Sequence, residues 1–143
     1  MIEDNLTVED YRAMAELRYQ LRQFAHFSER AAYSWGLNPE HHQMLLALKG
    51  IPEGIQPTIN IIAERLQLRR PKAIELTNDL ADRGLIRKRP DQADRRRVLL
   101  EITDRGEGVL RWLCLIHRSQ LKAISDGLID ALHKSVRGQL RFS

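Results

Sequence analysis

"LIRKRPDQADRRRVLLEIT", residues 85–103, is where the chain changes its rhythm. Upstream, apolar residues recur every three or four positions. Here they alternate in two short runs, "LIRKR" and "VLLEIT", separated by "PDQADRR". A switch from a period of 3.6 to a period of 2 marks the passage from helix to strand, and Pro and Asp are turn formers, so the segment predicts a β-hairpin. Arg95, Arg96 and Arg97 crowd its turn and second arm, closely preceded by Asp91 and Asp94. Consecutive like charges repel and a strand gains nothing intrinsic from them, so the run implies a partner outside the fold. The two aspartates need not oppose that role, because a carboxylate can pair with a neighbouring guanidinium and orient it.

Working outward, the residues before the hairpin read as four helices. Thr7 with Asp10 three positions later resembles a capping box and opens a long amphipathic pattern through Met14, Leu17, Leu21, Phe24, Ala31 and Trp35, stopped by Gly36. Asn38 and Pro39 start a second helix that ends at Gly50. Thr58 caps a third, "INIIAERL", and a fourth runs from about Pro71 to Arg83 with Ala73, Leu76, Thr77 and Leu80 inward and Gly84 as its stop. Its outward face carries Lys72, Glu75, Asn78, Asp79 and Asp82. After the hairpin, Thr103 or Asp104 caps a fifth helix. "SDG", residues 125–127, is expected to break it before a sixth with Leu128, Ile129, Leu132 and Val136 inward.

The whole chain is 143 residues, near the usual size of one domain, and 43% hydrophobic with 29% charged, which places it among globular rather than disordered proteins. No apolar run approaches the roughly 18 residues of a membrane span, and "MIEDNLTVEDYRAM" lacks the layout of a signal peptide, so a cytoplasmic location is expected. A single cysteine, Cys114, forbids an internal disulfide. Net charge is +4, but residues 69–97 hold ten basic groups against five acidic ones, so that segment nets +5 and the rest −1. A localised basic stripe is the electrostatic footprint of a polyanion partner.

Two short helices joined by a tight turn and followed by a basic hairpin form a winged helix-turn-helix. The second helix fits a major groove about 12 Å wide, and the hairpin beside it reaches the adjacent minor groove, whose negative potential attracts inserted arginines. The fold class is therefore mostly α with a small β-hairpin wing, an α+β lobe flanked by helices at both ends of the chain. No nucleophile elbow, phosphate-cradling glycine loop or metal-ligand helix motif is present, so no enzyme activity is expected. Neither cofactor nor metal is expected. His41 and His42 are adjacent on a helix and point about 100° apart, which does not suit one ion. Cys114, among Trp112, Leu113, Leu115 and Ile116, reads as an inert core thiol.

Residues 80–110, "LADRGLIRKRPDQADRRRVLLEITDRGEGVL", resemble the signature of MarR-type (multiple antibiotic resistance regulator) regulators: a Leu-x-x-[RK]-Gly-Leu-[IV]-x-[RK] block, a short spacer, Asp-x-Arg, a strand, then [LI]-Thr-x-x-Gly. "PTINIIAERLQL" is similar to the first helix of that family's helix-turn-helix, and the terminal helices to its dimerisation region. The resemblance implies a single domain over residues 1–143, with dimerisation helices at about 7–36 and 104–140 and a DNA-binding lobe at about 38–102. It implies a homodimer on pseudo-palindromic double-stranded DNA, a repressor released by a small-molecule or oxidant signal. The candidate DNA contacts on the helix-turn-helix are Thr58, Arg69, Arg70, Lys72, Glu75 and Asn78. On the hairpin they are Arg89, Asp94, Arg95, Arg96 and Arg97, with Asp94 orienting an arginine and Arg97 the one that strand alternation could turn away. Arg70, Pro71 and Lys72 depart from the small hydroxyl residues more common at that helix start. Candidate effector contacts are Phe24, Phe27, Trp35 and Met44, an aromatic stripe that is otherwise plain core. The alternative is a winged-helix module for protein or RNA contacts, for which helices at both chain ends have no evident use.

Overall fold

The computed structural model describes residues 5–137. Seven elements follow in the order α1 Val8–Tyr33, α2 Pro39–Lys49, α3 Ile59–Leu66, α4 Arg70–Asp82, β1 Ile86–Pro90, β2 Val98–Ile102 and α5 Asp104–Arg137. The strands pair antiparallel with Ile86 opposite Ile102 and Pro90 opposite Val98, the hairpin expected from the period of 2. The chain divides into two compact units, residues 1–30 with 115–143 and residues 31–114.

In the second unit, α2, α3 and α4 converge on Met44, Leu45, Ile62, Leu76 and Leu80, and the hairpin closes that core with Ile86 and Leu100. The caps explain where each helix begins. Asn38 accepts from the His41 N–H at 3.0 Å while the His41 Nδ1 accepts from the Asn38 N–H at 3.2 Å, a reciprocal box that makes histidine serve where glutamate usually does. Thr58 Oγ1 accepts from the Ile61 N–H at 3.2 Å and starts α3. Pro57 O accepts from the Leu100 N–H at 2.8 Å, so the residues before α3 add a short third rung to the wing.

Behind the hairpin, Thr103 is the cap of α5: its Oγ1 accepts from the Gly106 N–H at 3.1 Å and donates to Gly84 O at 2.6 Å. Gly84 has φ +73°, the left-handed turn that ends α4. A Cβ on Gly106 would lie 2.1 Å from Leu85 O, so α5 touches the α4–β1 connection backbone to backbone. The Thr-x-x-Gly of the signature is thus a joint between wing and helix.

In the first unit, Thr7 and Asp10 form the expected capping box, with Thr7 N–H to Asp10 Oδ2 at 2.8 Å and Asp10 N–H to Thr7 Oγ1 at 3.3 Å. Helix α1 ends at Tyr33, so Trp35 stands in the following turn rather than on the helix. The expected break at residues 125–127 does not occur: α5 runs unbroken through "SDG". Gly127 there faces the side chain of Gln20, where an added Cβ would meet Nε2 at 3.1 Å, so it permits close packing instead of ending the helix. The inward assignment at the end of α5 is also corrected. Ala131 is buried, whereas Ile129, Leu132 and Val136 are 50%, 46% and 76% exposed in the single chain. Met14 and Leu21 of α1 are likewise half exposed.

Candidate nucleic-acid interface

Helix α3 ends at Gln67, whose φ of 55° makes the tight turn into α4. One face of α4 is pinned by Ala73, Leu76, Thr77 and Leu80, as the pattern predicted, and Thr77 Oγ1 donates to Ala73 O at 2.7 Å. The face opposite is therefore presented to solvent, with Glu75 and Asn78 exposed and Lys72 half-buried. Lys72 Nζ lies 3.8 Å from Glu40 and 3.9 Å from Glu75, separations at which such surface pairs contribute little. At the start of α4 no side chain caps the helix. Its first-turn N–H groups and the exposed Arg69 and Arg70 make that end positive, an arrangement suited to a phosphate. Pro71 withholds one donor.

Several of these side chains are already engaged within the lobe. Arg70 Nη1 donates to Asn60 Oδ1 on α3, and Lys88 Nζ on β1 donates to Asn78 Oδ1 on α4. Arg89 Nε lies 3.0 Å from Glu101 Oε2 across the hairpin. Thr58 is 8% exposed and its hydroxyl is committed to the cap. Asn60 and Lys88 were not singled out in the sequence. Their signal was a polar residue at an exposed position of a short apolar helix and a lysine on the arm facing α4.

The wing tip sorts the arginine run. Asp94 Oδ1 accepts from both the backbone N–H and the Nε of Arg96, at 3.1 and 3.2 Å, so this aspartate holds Arg96. The Arg96 side chain is nevertheless 92% exposed. Arg95 is exposed and has no ion-pair partner among the described residues. Arg97 turns back: its Nε and Nη2 donate to Asp91 Oδ2 at 3.1 and 2.8 Å. The Ala93 N–H donates to the other oxygen of Asp91 at 2.9 Å. That backbone hydrogen bond, with the guanidinium, holds the Asp91 carboxyl below its ordinary pKa.

Behind α4, Arg83 Nη1 donates to Gly36 O at 2.7 Å, and the buried His41 brings Nε2 to 3.5 Å from Asp79 Oδ2, a loose contact. Burial pushes the His41 pKa down, an effect the nearby Asp79 only partly offsets. Among the described residues no group of three or more His, Cys, Asp or Glu could hold a metal ion. The four effector candidates separate by environment. Phe24 and Phe27 stand edge-on to His117 in the first unit, with ring centroids 5.7 and 5.4 Å away. In the second unit Trp35 stands edge-on to Trp112 at 5.5 Å, and Met44 is fully buried. Cys114 is a partly exposed free thiol, less buried than an inert core residue would be. No helix among the described residues is long and apolar enough to cross a membrane.

A solvent-facing helix with cations at its start, on a three-helix lobe beside a hairpin with arginines at its tip, defines a winged helix-turn-helix fold. The kind of winged helix follows from comparison: the family model described as "MarR family" matches residues 35–97. The fold of the chain is that of the MarR regulators. A MarR family transcription regulator, SP03579, aligns with TM-score 0.73 at 23% identity, covering 87% of this chain and 83% of that one. AbsC of Streptomyces coelicolor, also a MarR family transcriptional regulator, gives TM-score 0.67 at 19% identity over 90% and 84%. MepR of S. aureus in complex with DNA gives 0.65 at 21% identity over 86% and 92%. No curated protein matches the sequence significantly.

Proposed function

We propose that the protein is a sequence-specific regulator that binds double-stranded DNA as a homodimer, with α4 in the major groove and the wing in the adjacent minor groove of each half-site. The observation that carries this is the sorting of cations on one lobe. Arg69, Arg70 and Lys72 gather at the uncapped start of α4, and Arg95 and Arg96 stand out from the wing tip, 92% exposed in the case of Arg96. A protein that neutralises several phosphates releases their counterions, so affinity should fall steeply with salt. On this reading Arg69, Arg70 and Lys72 meet backbone phosphates, Glu75 and Asn78 face base edges, and Arg96 enters the minor groove. Arg89 is an arm cation beside them, and Thr58 acts through the start of α3. Repression by promoter occlusion, and release by a small-molecule or oxidant signal, complete the reading and are supported by the family resemblance.

Selection from a random duplex library, followed by binding measured across salt concentrations, tests it. A pseudo-palindrome with half-sites about one helical turn apart is expected. Enrichment of single-stranded or non-symmetric ligands, or no enrichment, would favour a protein- or RNA-contact module instead.

A further inference from the structure

The three arginines of the wing do not stand in equivalent positions. Asp91 directly follows β1 and Arg97 directly precedes β2, so together they close the base of the loop that carries Arg95 and Arg96. The closure is double. The Asp91 N–H donates to Arg97 O at 3.1 Å, and the Arg97 guanidinium puts Nε and Nη2 on one oxygen of Asp91. The second oxygen of Asp91 holds the Ala93 N–H, and the Arg97 N–H donates to Asp94 O at 3.0 Å, so both sides of the loop are tied to this pair.

Exposure follows the same division. The Asp91 side chain is 7% exposed and that of Arg97 48%, against 92% for Arg96. An Arg97 that left to meet a phosphate would leave a largely covered carboxylate without its counter-charge, a cost that the half-exposed guanidinium and the remaining Ala93 hydrogen bond keep moderate. Leaving the pair intact offsets part of the ordering entropy that a five-residue loop would otherwise lose on meeting DNA.

We propose that Asp91 and Arg97 form a positioning clamp that fixes the wing tip for DNA, and that Arg97 is not itself a phosphate contact. This rests on the DNA-binding reading above and assigns the arginine run unequal roles. Arg95 and Arg96 are the contacts, whereas Arg97 acts through the geometry it imposes on them. Asp91, which on charge alone should weaken binding to a polyanion, favours it.

Affinity for the selected duplex, its dependence on salt and a double-mutant cycle in the full chain test the clamp. Arg95→Gln and Arg96→Gln should each lower the slope of log affinity against log salt by about one. Arg97→Gln should weaken binding about tenfold with the slope unchanged. Asp91→Asn should weaken it similarly although it removes a negative charge, and the double variant should be no worse than the worse single. In the protein without DNA, the Arg97 Nε–H should exchange slowly with solvent, and Asp91→Asn should abolish that protection, a reading independent of DNA. A loss of one slope unit in Arg97→Gln, tighter binding by Asp91→Asn, or additive effects would overturn the proposal. Wild-type protein that binds no duplex would instead overturn the DNA-binding reading, and unprotected Arg97 Nε–H would overturn the clamp alone.

Discussion

Two glycines two positions apart illustrate how local surroundings decide a residue's role. Gly106 sits at the start of α5 with its Cα against the backbone of Leu85, where an added Cβ would lie 2.1 Å from the carbonyl oxygen. Gly108 has nothing within 4 Å of the same position. Gly106→Ala should therefore destabilise the protein by about 3 kcal/mol, because backbone rather than a flexible side chain must move. Gly108→Ala should stabilise it by up to about 1 kcal/mol through helix propensity. Urea unfolding of both variants checks the pair, and equal effects would contradict the close approach. His41 provides a second test at this scale. Its native pKa lies below the ordinary 6.5, chiefly through burial, so the unfolded chain takes up its proton first as pH falls. Stability from this group is complete above about pH 6.5 and declines as pH falls through the native value. Protonation would also turn Nδ1 from an acceptor into a donor against the Asn38 N–H it now receives. His41→Gln should flatten the decline in unfolding free energy between about pH 7 and 5, and an unchanged profile would assign that decline to other groups.

The elements carry a trade-off at the start of α4. Arg69 is its N-cap residue and makes no capping hydrogen bond, a position where Ser, Thr, Asp or Asn ordinarily gains about 1 kcal/mol. Arg69→Ser should raise stability by about that amount while lowering DNA affinity and its salt slope by about one ion pair, measured by thermal unfolding and by binding titration. A variant stabilised with no loss of binding would remove Arg69 from the interface. How the elements were legible follows from the same physics. The hairpin, α3 and the buried stripe of α4 were readable because period and caps are local properties, and the Thr-x-x-Gly joint was visible as part of the signature. The continuity of α5 was not. Ser-Asp-Gly reads as a breaker by propensity alone, and only the packing of Gly127 against Gln20 shows why a glycine suits a helix there. The separate partners of Arg96 and Arg97 were hidden for a related reason: both aspartates precede the run, and which one pairs with which arginine depends on how the loop folds. Thr58 combined two readings, and the structure places its hydroxyl in the cap.

For the whole molecule, the decisive quantity is the apolar surface that one chain leaves uncovered. In the unit of residues 1–30 and 115–143, Tyr11, Met14, Leu21, Leu121, Ile129 and Leu132 are each more than 40% exposed. On α5, Leu121, Ile129, Leu132 and Val136 recur at spacings that keep one side of a helix apolar. Scattered exposed leucines need no explanation, but several large apolar residues at helical spacing on both helices of one unit mark an association surface. Fully burying a side chain of this size is worth about 1.5–3 kcal/mol, so covering even half of each on two protomers supplies enough to offset the cost of association. A homodimer at micromolar concentration is expected by light scattering. Replacing Ile129 and Leu132 together with Asp should shift it to monomer, while the lobe of residues 31–114 keeps its helical signal because none of its core residues is touched. DNA affinity should then fall about a hundredfold or more on a two-half-site duplex, since the second lobe no longer benefits from effective concentration, and by little on an isolated half-site. A monomeric variant that holds the full site as tightly as the wild type would show that this apolar face serves a different association and that each lobe binds DNA independently.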